Sequence, residues 1–594
     1  MHLLRRSILL SPAVFFTISA DNVGPTYPAP TDLTSDDSLV RKAWDELSSS
    51  FDTYLEKKPN GSPLAGTEHV TFSSGLFSLH DPAAAPQLQY HYTAPEIANS
   101  TNGTNHVDGD SIYGMASVSK LFTVFTGLLE LTDAQWNTPL SDIIPGLAEY
   151  ANQTLEGSGL AYDTRWNEVT PWALANQMAG VARQGLPATD TLISGFGPGV
   201  DPVADLGLPP VPLSSLGPCI DLTCTEGDYV ESVSGQPPIF LPWTSPAYAN
   251  NGFILLGIAI SKLTGKPISK IYPEAVFEPL GMSSTFAGSP KKDADIAKSV
   301  VLPYFNNTYE LAWPSGGLYS TINDFAKFGT ALLNSTLLPA DLTRKWMKPS
   351  SHTASLTYAV GAPWEIMRYI HPDTGKVTDI YTKSGDSGMY GGYLVLIPEY
   401  NAGFSLLDGS SNLTARSTVQ YVIADYVANA MVPALEAQAA AEAKRKYAGT
   451  YVSEDPKLNS SLTIAINGAT IPGTPANALS ITRWVSNGTD VLAGLSLRLL
   501  QSIPSGSAEG VGSGKVAFQA TDNPQFASYT ASGADSLGVI GPFTGQQTNY
   551  DWLVIDATHY GGYGFNLFVF DVDTDGRALR VRPAVTRATL KREA

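Results

Sequence analysis

The sequence has few charged residues, and basic residues are the scarcer of the two signs. Only 15% of its 594 residues are charged, and 36 lysines and arginines face 55 aspartates and glutamates, for a net charge of −19. This acidity argues against a nucleic-acid partner and favours solubility. Beyond the N-terminus the sequence also lacks any apolar run long enough to cross a bilayer, so we expect no membrane span.

Residue patterns that bind metals are also missing. The eight histidines include His69, His80 and His91, which alternate with apolar residues without the spacing of metal ligands, so we predict structural roles for them. Residues 571–576 begin like an EF-hand loop, but position twelve is Arg582 instead of glutamate, which predicts a hairpin turn. We therefore expect neither a metal nor a cofactor.

The N-terminus has the pattern of a secretory signal peptide. Arg5 and Arg6 precede a short apolar segment that ends in small residues at Ala20, which predicts a cleaved peptide over 1–20 and a secreted protein. An uncleaved membrane anchor is the alternative, and the short apolar run disfavours it. Nine Asn-x-Ser/Thr sequons predict a glycosylated surface. They lie at Asn60, Asn99, Asn102, Asn152, Asn306, Asn334, Asn412, Asn459 and Asn487.

A long segment rich in glycine, proline and serine runs from Arg183 to Pro242 without sustained periodicity. A loop of this length inside a compact domain is usually functional, so we predict a lid over a binding site. The segment contains both cysteines of the chain, Cys219 and Cys224. An isolated, closely spaced pair in an exported chain predicts a disulfide in preference to a metal site.

A mostly apolar helix is predicted from Met115 to Leu131, and its N-terminus carries residues that packing does not require. Ser117 and Lys120 are three residues apart and so lie on one side of a helix. A hydroxyl at a helix N-terminus lies in the positive end of the helix dipole, which stabilises a developing oxyanion. The alternative is that neither residue is catalytic. Ser117 would then cap the helix, and the ammonium of Lys120 would reach solvent.

Two further motifs favour the catalytic interpretation of Ser117. Tyr248-Ala249-Asn250 begins a second apolar helix, and Lys383-Ser384-Gly385 begins a sheet-edge pattern. In this chain order, Ser-x-x-Lys, Tyr-x-Asn and Lys-Ser-Gly resemble the serine β-lactamase and penicillin-binding-protein superfamily. The tyrosine motif resembles the class C β-lactamases and their esterase relatives. The Gly-Asp-Ser-Gly sequence at 385–388 matches trypsin-like proteases, but no histidine has the setting that those proteases use.

The resemblance implies an α/β fold with an antiparallel sheet, helices on both faces and a helical lobe, over residues 21–432. A solvated connecting helix is predicted for 433–446, and short alternating segments after it predict an all-β barrel or sandwich over 447–594. This C-terminal module is similar to appended domains of fungal-type secreted relatives. Residues 176–180, Asn-Gln-Met-Ala-Gly, depart from the His-Thr/Ser-Gly segment that the family often has.

The resemblance also implies a serine hydrolase that cleaves a small-molecule ester or amide through an acyl-Ser117 intermediate. Lys120 and Tyr248 are the expected bases, since a lysine or phenol beside other cations has a lowered pKa. Asn250 would hold Lys120, and Lys383 would supply the second cation. Ser384 and Gly385 follow Lys383 in the motif, and Asp386 comes directly after them. The oxyanion would lie between the backbone N–H groups of Ser117 and Asp386. Acyl transfer to a small-molecule alcohol and a catalytically silent binding protein remain the alternatives.

Overall fold

The computed structural model describes the chain in segments, and the predicted signal peptide and Asn152 lie outside them. The described residues are 25–151, 161–184, 186, 201, 203–212, 217–303, 305–306, 309–372, 376–455, 457–467, 478–492, 497–503, 514–521, 555–556 and 558–593. They form two compact units. One comprises Thr31–Arg368 and Asp379–Leu435, and the other draws its described residues from Met1–Pro30, Tyr369–Thr378 and Glu436–Ala594.

An eight-stranded antiparallel sheet organises the N-terminal part of the chain. In space its strands follow the order β2-β1-β8-β7-β6-β5-β4-β3. Their bounds are β1 Thr71–Ser78, β2 Gln89–Tyr92, β3 Ser351–His352, β4 Tyr358–Val360, β5 Glu365–Ile370, β6 Val377–Asp386, β7 Tyr390–Ile397 and β8 Ala402–Gly409. The central strands β1, β7 and β8 are buried along their whole length, as expected for strands covered on both faces.

Helices cover both faces of this sheet. The described helices of nine residues or more are α1 Leu39–Lys57, α2 Ser119–Glu130, α3 Glu226–Ser234, α4 Asn250–Thr264, α5 Ile322–Leu333 and α6 Leu413–Tyr447. On one face α1 packs Phe51 against Phe72 of β1, with ring centroids 5.7 Å apart. On the other face α5 lies so close to Phe77 of β1 that a side chain at Gly329 would overlap its ring. A three-stranded sheet of Tyr113–Gly114, Leu318–Ser320 and Phe286–Ala287 leads into α2.

The helix α2 is the buried centre of the helical lobe. Its residues from Ser119 to Leu128 are all buried, and Phe122 stacks on Phe328 with 4.1 Å between ring centroids. The remaining helices of this unit are shorter. They are Ala84–Gln87, Pro95–Ala98, Asp133–Trp136, Leu140–Ile143, Pro145–Ala151, Pro171–Ala175, Ile268–Tyr272, Asp293–Ile296, Trp313–Gly316 and Ala340–Trp346.

His559–Tyr560 and Tyr563–Gly564 pair as a separate two-stranded sheet. The other nine described strands of the C-terminal region close into a barrel, one of the two predicted forms. They are β9 Gly449–Ser453, β10 Ser461–Asn467, β11 Ala478–Ser486, β12 Thr489–Asp490, β13 Leu497–Ile503, β14 Lys515–Thr521, β15 Leu567–Val572, β16 Ala578–Pro583 and β17 Leu590–Arg592. The order is β10-β9-β17-β16-β15-β14-β13-β11-β12, and pairing of β10 with β11 closes the ring. The hairpin between β15 and β16 contains the EF-hand-like segment, where Asp573 accepts hydrogen bonds from the backbone N–H groups of Asp575 and Arg577.

Two predictions about the course of the chain need correction. The Arg183–Pro242 segment contains α3, which begins with a capping box of Thr225 and Asp228 that the sequence analysis missed. Residues 433–446 are helical as expected, but they continue α6 without a break, and the helix is not solvated on every side, because Ala439 and Ala443 are fully buried. Burial of apolar side chains on both sides of Pro433 outweighs the one backbone hydrogen bond that proline removes.

Three surface predictions can be compared with the described residues. A disulfide joins Cys219 and Cys224. The asparagines of the eight sequons that lie within the described residues are all exposed. Within the described part of the chain, no helix combines the length and apolar character that crossing a bilayer requires.

Candidate active site

Ser117 lies in a 3₁₀ turn, Ala116–Val118, that leads directly into α2. The residue before it, Ala116, has a φ of 47°, in the left-handed region that residues other than glycine rarely adopt. Such a backbone costs on the order of 1–3 kcal/mol and persists where the surrounding structure holds it, often at functional sites. The strained turn directs the Ser117 hydroxyl toward Lys120 and Tyr248.

Lys120 is fully buried and points at Ser117 from the first turn of α2. Its Nζ donates to Ser117 Oγ at 2.9 Å, to Asn250 Oδ1 at 2.8 Å and to the carbonyl of Ser315. Burial, together with the charge of Lys383, lowers the pKa of Lys120 to about 8. Near neutral pH a usable fraction of this amine is therefore unprotonated and can accept a proton.

Tyr248 approaches the same hydroxyl from the other side. Its OH donates to Ser117 Oγ at 2.7 Å, and its ring centroid lies 4.9 Å from Lys120 Nζ and 5.5 Å from Lys383 Nζ. Burial acts to raise the pKa of Tyr248, but the charges of Lys120 and Lys383 and the hydrogen bonds to the phenol outweigh it, so that the pKa is lowered. The phenol therefore ionises more readily than an ordinary tyrosine.

The segment that departs from the family pattern holds Tyr248 in place. Gln177, whose φ is 59°, bonds the backbone on both sides of the tyrosine. Its carbonyl accepts from the N–H of Ala247, and its side-chain oxygen accepts from the N–H of Ala249, both at 2.9 Å. Residues 176–180 stand out in the sequence only as a departure from the family pattern, so this role of Gln177 could not be predicted from them.

Arg183 supports the beginning of α4 next to Tyr248. Its carbonyl accepts from the backbone N–H groups of Asn250 at 3.0 Å and Asn251 at 3.2 Å. The exposed guanidinium lies 4.9 Å from the centroid of the Tyr248 ring. The first residue of the predicted lid therefore touches the proposed base.

Lys383 forms an ion pair with Glu365, a residue outside the sequence motifs. Its side chain is 1% exposed, and Nζ pairs with Glu365 Oε1 at 2.5 Å, while Glu365 Oε2 accepts from the N–H of Ser384 at 2.8 Å. Glu365 begins β5, the strand next to β6, and sequence analysis had no signal for it. A buried ammonium is tolerated here because this carboxylate compensates its charge.

The end of β6 passes against the Ser117 turn. A side chain at Gly385 would overlap the carbonyl of Met115 and come within 3.2 Å of the Ser117 nitrogen, so only glycine permits this approach. The Gly385 carbonyl accepts from Gln420 Nε2 of α6 at 2.7 Å. Because a trans peptide is planar, the N–H of Asp386 points away from Gln420. After Gln177 and Glu365, Gln420 is thus a third supporting residue that the sequence did not reveal.

The exposed carboxylate of Asp386 is joined to a buried ion pair between Arg416 of α6 and Asp408 of β8. Arg416 bonds both Asp386 and Asp408, and its Nη1 lies 3.1 Å from Asp408 Oδ1. Burial raises the pKa of Asp408 to about 7 against the opposing effect of Arg416. These charge-assisted hydrogen bonds hold the β6–β7 hairpin. Arg416 and Asp408, which make them with Asp386, belong to none of the sequence motifs.

Replacing Arg416 by methionine is expected to lower the free energy of unfolding by about 3–5 kcal/mol, because Asp408 is left buried without its partner. Urea denaturation measures this loss. The matched variant Asp408→Asn, which keeps the Arg416–Asp386 pair and the shape of the buried group, should cost clearly less. An Arg416→Met protein as stable as the parent would contradict this account of the network.

A pocket of about 260 Å³ opens beside the serine. The lining residues are Ala116, Ser117, Gln184, Leu186, Leu222, Asn250, Asn251, Ile254, Ser315, Gly316, Asp386 and Ser387. Among the residues that the structure describes, no cluster of three or more histidine, cysteine, aspartate or glutamate side chains could hold a metal ion. The constellation around Ser117 consists of a hydroxyl, an amine, a phenol and backbone donors, which is suited to nucleophilic attack on a carbonyl.

Comparison with known proteins gives consistent matches. Residues 89–449 match the family described as Beta-lactamase, and residues 439–594 match the family described as Beta-lactamase-like-like, C-terminal domain. The chain is 30% identical to the Beta-lactamase-like protein of Arthroderma benhamiae over 471 residues, which cover 75% of this chain and 72% of the relative.

Two further fungal relatives have the word hydrolase in their names. The chain is 26% identical to Probable hydrolase M10 of Phoma sp., covering 82% of this chain and 76% of the relative. It is also 26% identical to Probable hydrolase clz13 of Cochliobolus lunatus, covering 86% and 84%. The chain therefore belongs to the beta-lactamase family of hydrolases, with the β-lactamase/transpeptidase-like fold and an additional β-rich domain of the beta-lactamase-like type at its C-terminus.

Proposed function

We propose that this protein hydrolyses a small-molecule ester or amide through an acyl-enzyme on Ser117. The observation that carries the proposal is the position of Ser117 Oγ, 2.9 Å from Lys120 Nζ and 2.7 Å from the Tyr248 OH. A serine hydroxyl becomes an effective nucleophile only when an adjacent base takes its proton. Both neighbours have a lowered pKa, so both are suited to that task.

In acylation the Ser117 proton passes to the Lys120–Tyr248 pair as Oγ bonds to the substrate carbonyl carbon. The resulting oxyanion accepts hydrogen bonds from the N–H groups of Ser117 and Asp386. Collapse of this intermediate breaks the bond to the leaving group, which takes a proton from Tyr248. In deacylation water attacks the acyl-enzyme, Tyr248 accepts a proton from that water, and Ser117 is released with its proton restored.

Intact-mass spectrometry tests the proposal directly. The protein is mixed with p-nitrophenyl esters, D-amino-acid amides or a chromogenic cephalosporin. The expected mass increase is that of the acyl group in place of one hydrogen, or of the ring-opened cephalosporin, and digestion should locate it on the peptide that contains Ser117. Product analysis with and without an added small alcohol separates hydrolysis from acyl transfer. A chain that binds these compounds without any covalent adduct would be a silent binding protein, and the proposal would be wrong.

The pH dependence of acylation tests which charges act on the bases. Proton transfer requires unprotonated Lys120 or Tyr248, so kcat/KM rises with pH as the pair loses a proton. Lys383 lowers the pKa of both groups, so Lys383→Gln is expected to move this ascending limb to higher pH. Glu365 raises the pKa of Lys120, so Glu365→Gln is expected to move the limb to lower pH.

The measurement is kcat/KM for one p-nitrophenyl ester over a series of buffers at constant ionic strength. Lys327→Gln serves as the control, because Lys327 pairs with Asp324 outside the site and its loss should leave the limb in place. Shifts in the same direction for the Lys383 and Glu365 variants would contradict the assigned electrostatics.

A further inference from the structure

Three large aliphatic side chains contribute to the wall of the pocket beside Ser117. They are Leu186, Leu222 and Ile254, of which Leu186 and Ile254 are almost completely buried and Leu222 is half-buried. Among the described lining residues, Asp386 is the one with a charged side chain, and its carboxylate is bound by Arg416. The pocket therefore offers an occupant aliphatic contacts next to polar but uncharged groups such as Gln184 and Asn251, and the one carboxylate among these residues is already paired.

Leu222 reaches this wall from within the ring that the Cys219–Cys224 disulfide closes. The ring is anchored to the lobe, because the N–H of Cys219 donates to Ser232 Oγ of α3 at 3.0 Å. The same helix is bonded to the site, since the OH of Tyr229 donates to Asn251 Oδ1 at 3.0 Å. Leu222 and Cys224 both pack against the buried core. The disulfide ring thus places one leucine at the pocket and holds it there.

The geometry of the intermediate decides which half of the substrate meets Leu222. Around the attacked carbon lie Ser117 Oγ, the oxyanion, the acyl substituent and the leaving group. The leaving group must face Tyr248, because Tyr248 returns its proton, and the oxyanion must face the N–H groups of Ser117 and Asp386. Tyr248 is a described residue that does not line the pocket, whereas Ser117 and Asp386 do. The pocket therefore receives the acyl substituent.

We propose that the Cys219–Cys224 ring is the acyl-specificity element of this enzyme. Through Leu222, together with Leu186 and Ile254, it selects substrates with an uncharged aliphatic acyl group of short to medium length. The inferred length follows from the volume of about 260 Å³, which lies just below the range of about 300–1,000 Å³ typical of sites for drug-sized ligands. This inference rests on the proposed acyl-Ser117 chemistry and adds the substrate class to it.

The test is the acyl-length profile of acylation, measured with p-nitrophenyl esters from acetate to decanoate. We expect the parent protein to react best with an intermediate length. Leu222→Phe narrows the pocket and should lower kcat/KM for the longer esters by about tenfold or more relative to kcat/KM for the acetate ester. Leu222→Ala should lower kcat/KM for the ester of optimal length by about tenfold and shift the optimum toward longer chains.

Ile220→Ala is the matched control, because Ile220 belongs to the same ring but is 55% exposed and does not line the pocket. It should keep the parent profile. In the double variant Cys219→Ser with Cys224→Ser, kcat/KM should depend less on acyl length than in the parent, and the change should resemble that of Leu222→Ala. Its melting temperature should fall only slightly, because a cross-link over so short a loop removes little chain entropy.

The outcomes separate this inference from the proposed function. Equal profiles for Leu222→Ala and Ile220→Ala, an unchanged profile in the double cysteine variant, or faster reaction with charged acyl groups would each overturn the inference. Absence of acylation by every ester in the series, while a fluorophosphonate still labels Ser117, would also overturn it and leave the serine chemistry standing. Absence of fluorophosphonate labelling would instead remove the proposed function on which the inference rests.

Discussion

Replacing Ser117 by alanine is expected to abolish covalent labelling by a fluorophosphonate and to lower ester hydrolysis by about 10⁶-fold, the scale of losing a serine nucleophile. Both Lys120 Nζ and the Tyr248 OH donate to this hydroxyl. Without it the two bases have no proton to accept, although the pocket and the oxyanion donors remain. Labelling is read by mass spectrometry and turnover by release of p-nitrophenol.

The fold of this variant should stay intact, because the hydroxyl makes no contact that packing requires. Circular dichroism and thermal unfolding test that point. Ser49→Ala, which removes an exposed hydroxyl on α1, should label like the parent protein. A label that persists in Ser117→Ala, or that moves to Ser119 or Ser387, would show that the nucleophile has been misassigned.

Short motifs pointed to side chains that lie within hydrogen-bond distance of one another around Ser117. Ser117 and Lys120 share one turn, and Tyr248 and Asn250 share the beginning of one helix, so each pair is a local pattern. The chain order of the motifs, read as a family resemblance, was needed to predict that the pairs would meet, because nothing local indicates that Lys120 and Asn250 are 2.8 Å apart.

The supporting residues could not be predicted in this way. Gln177, Glu365 and Gln420 act on Tyr248, Lys383 and the Asp386 peptide through contacts that only the tertiary fold creates. A lone glutamate at the start of a strand or a glutamine on a helix has no distinguishing sequence context. Their identification required the distances between side chains and backbone atoms.

Two errors of the sequence analysis had local physical causes. The glycines and prolines around α3 hid a helix whose capping box, Thr225 with Asp228, was readable. Pro433 suggested a boundary, but a proline ends a helix only when little packing holds the turns on either side. Here the turn before it buries Met431 and Val432 and the turn after it buries Leu435, so α6 continues.

The second large effect is expected for Tyr248→Phe, which removes one hydroxyl and keeps the ring between its cations. We expect kcat to fall by about 10²–10⁴-fold on esters, the scale of lost general acid–base help. Acylation and deacylation should both slow, because the same phenol serves both steps in the proposed mechanism. Burst and steady-state kinetics with a p-nitrophenyl ester measure the two rates separately.

The pH profile of Tyr248→Phe separates a lost base from a damaged site. Tyr248 raises the pKa of Lys120 through its charge and its hydrogen bond, so the pKa of Lys120 should fall below about 8 when the phenol is removed. The residual activity should therefore reach its plateau at lower pH than that of the parent. Tyr451→Phe, which deletes a buried hydroxyl that bonds the Tyr447 carbonyl in the C-terminal barrel, should cost about 1 kcal/mol of stability and leave kcat unchanged. Near-full turnover of an ester by Tyr248→Phe would rule out the tyrosine as the base, and a lower rate with an unshifted profile would assign it a structural role.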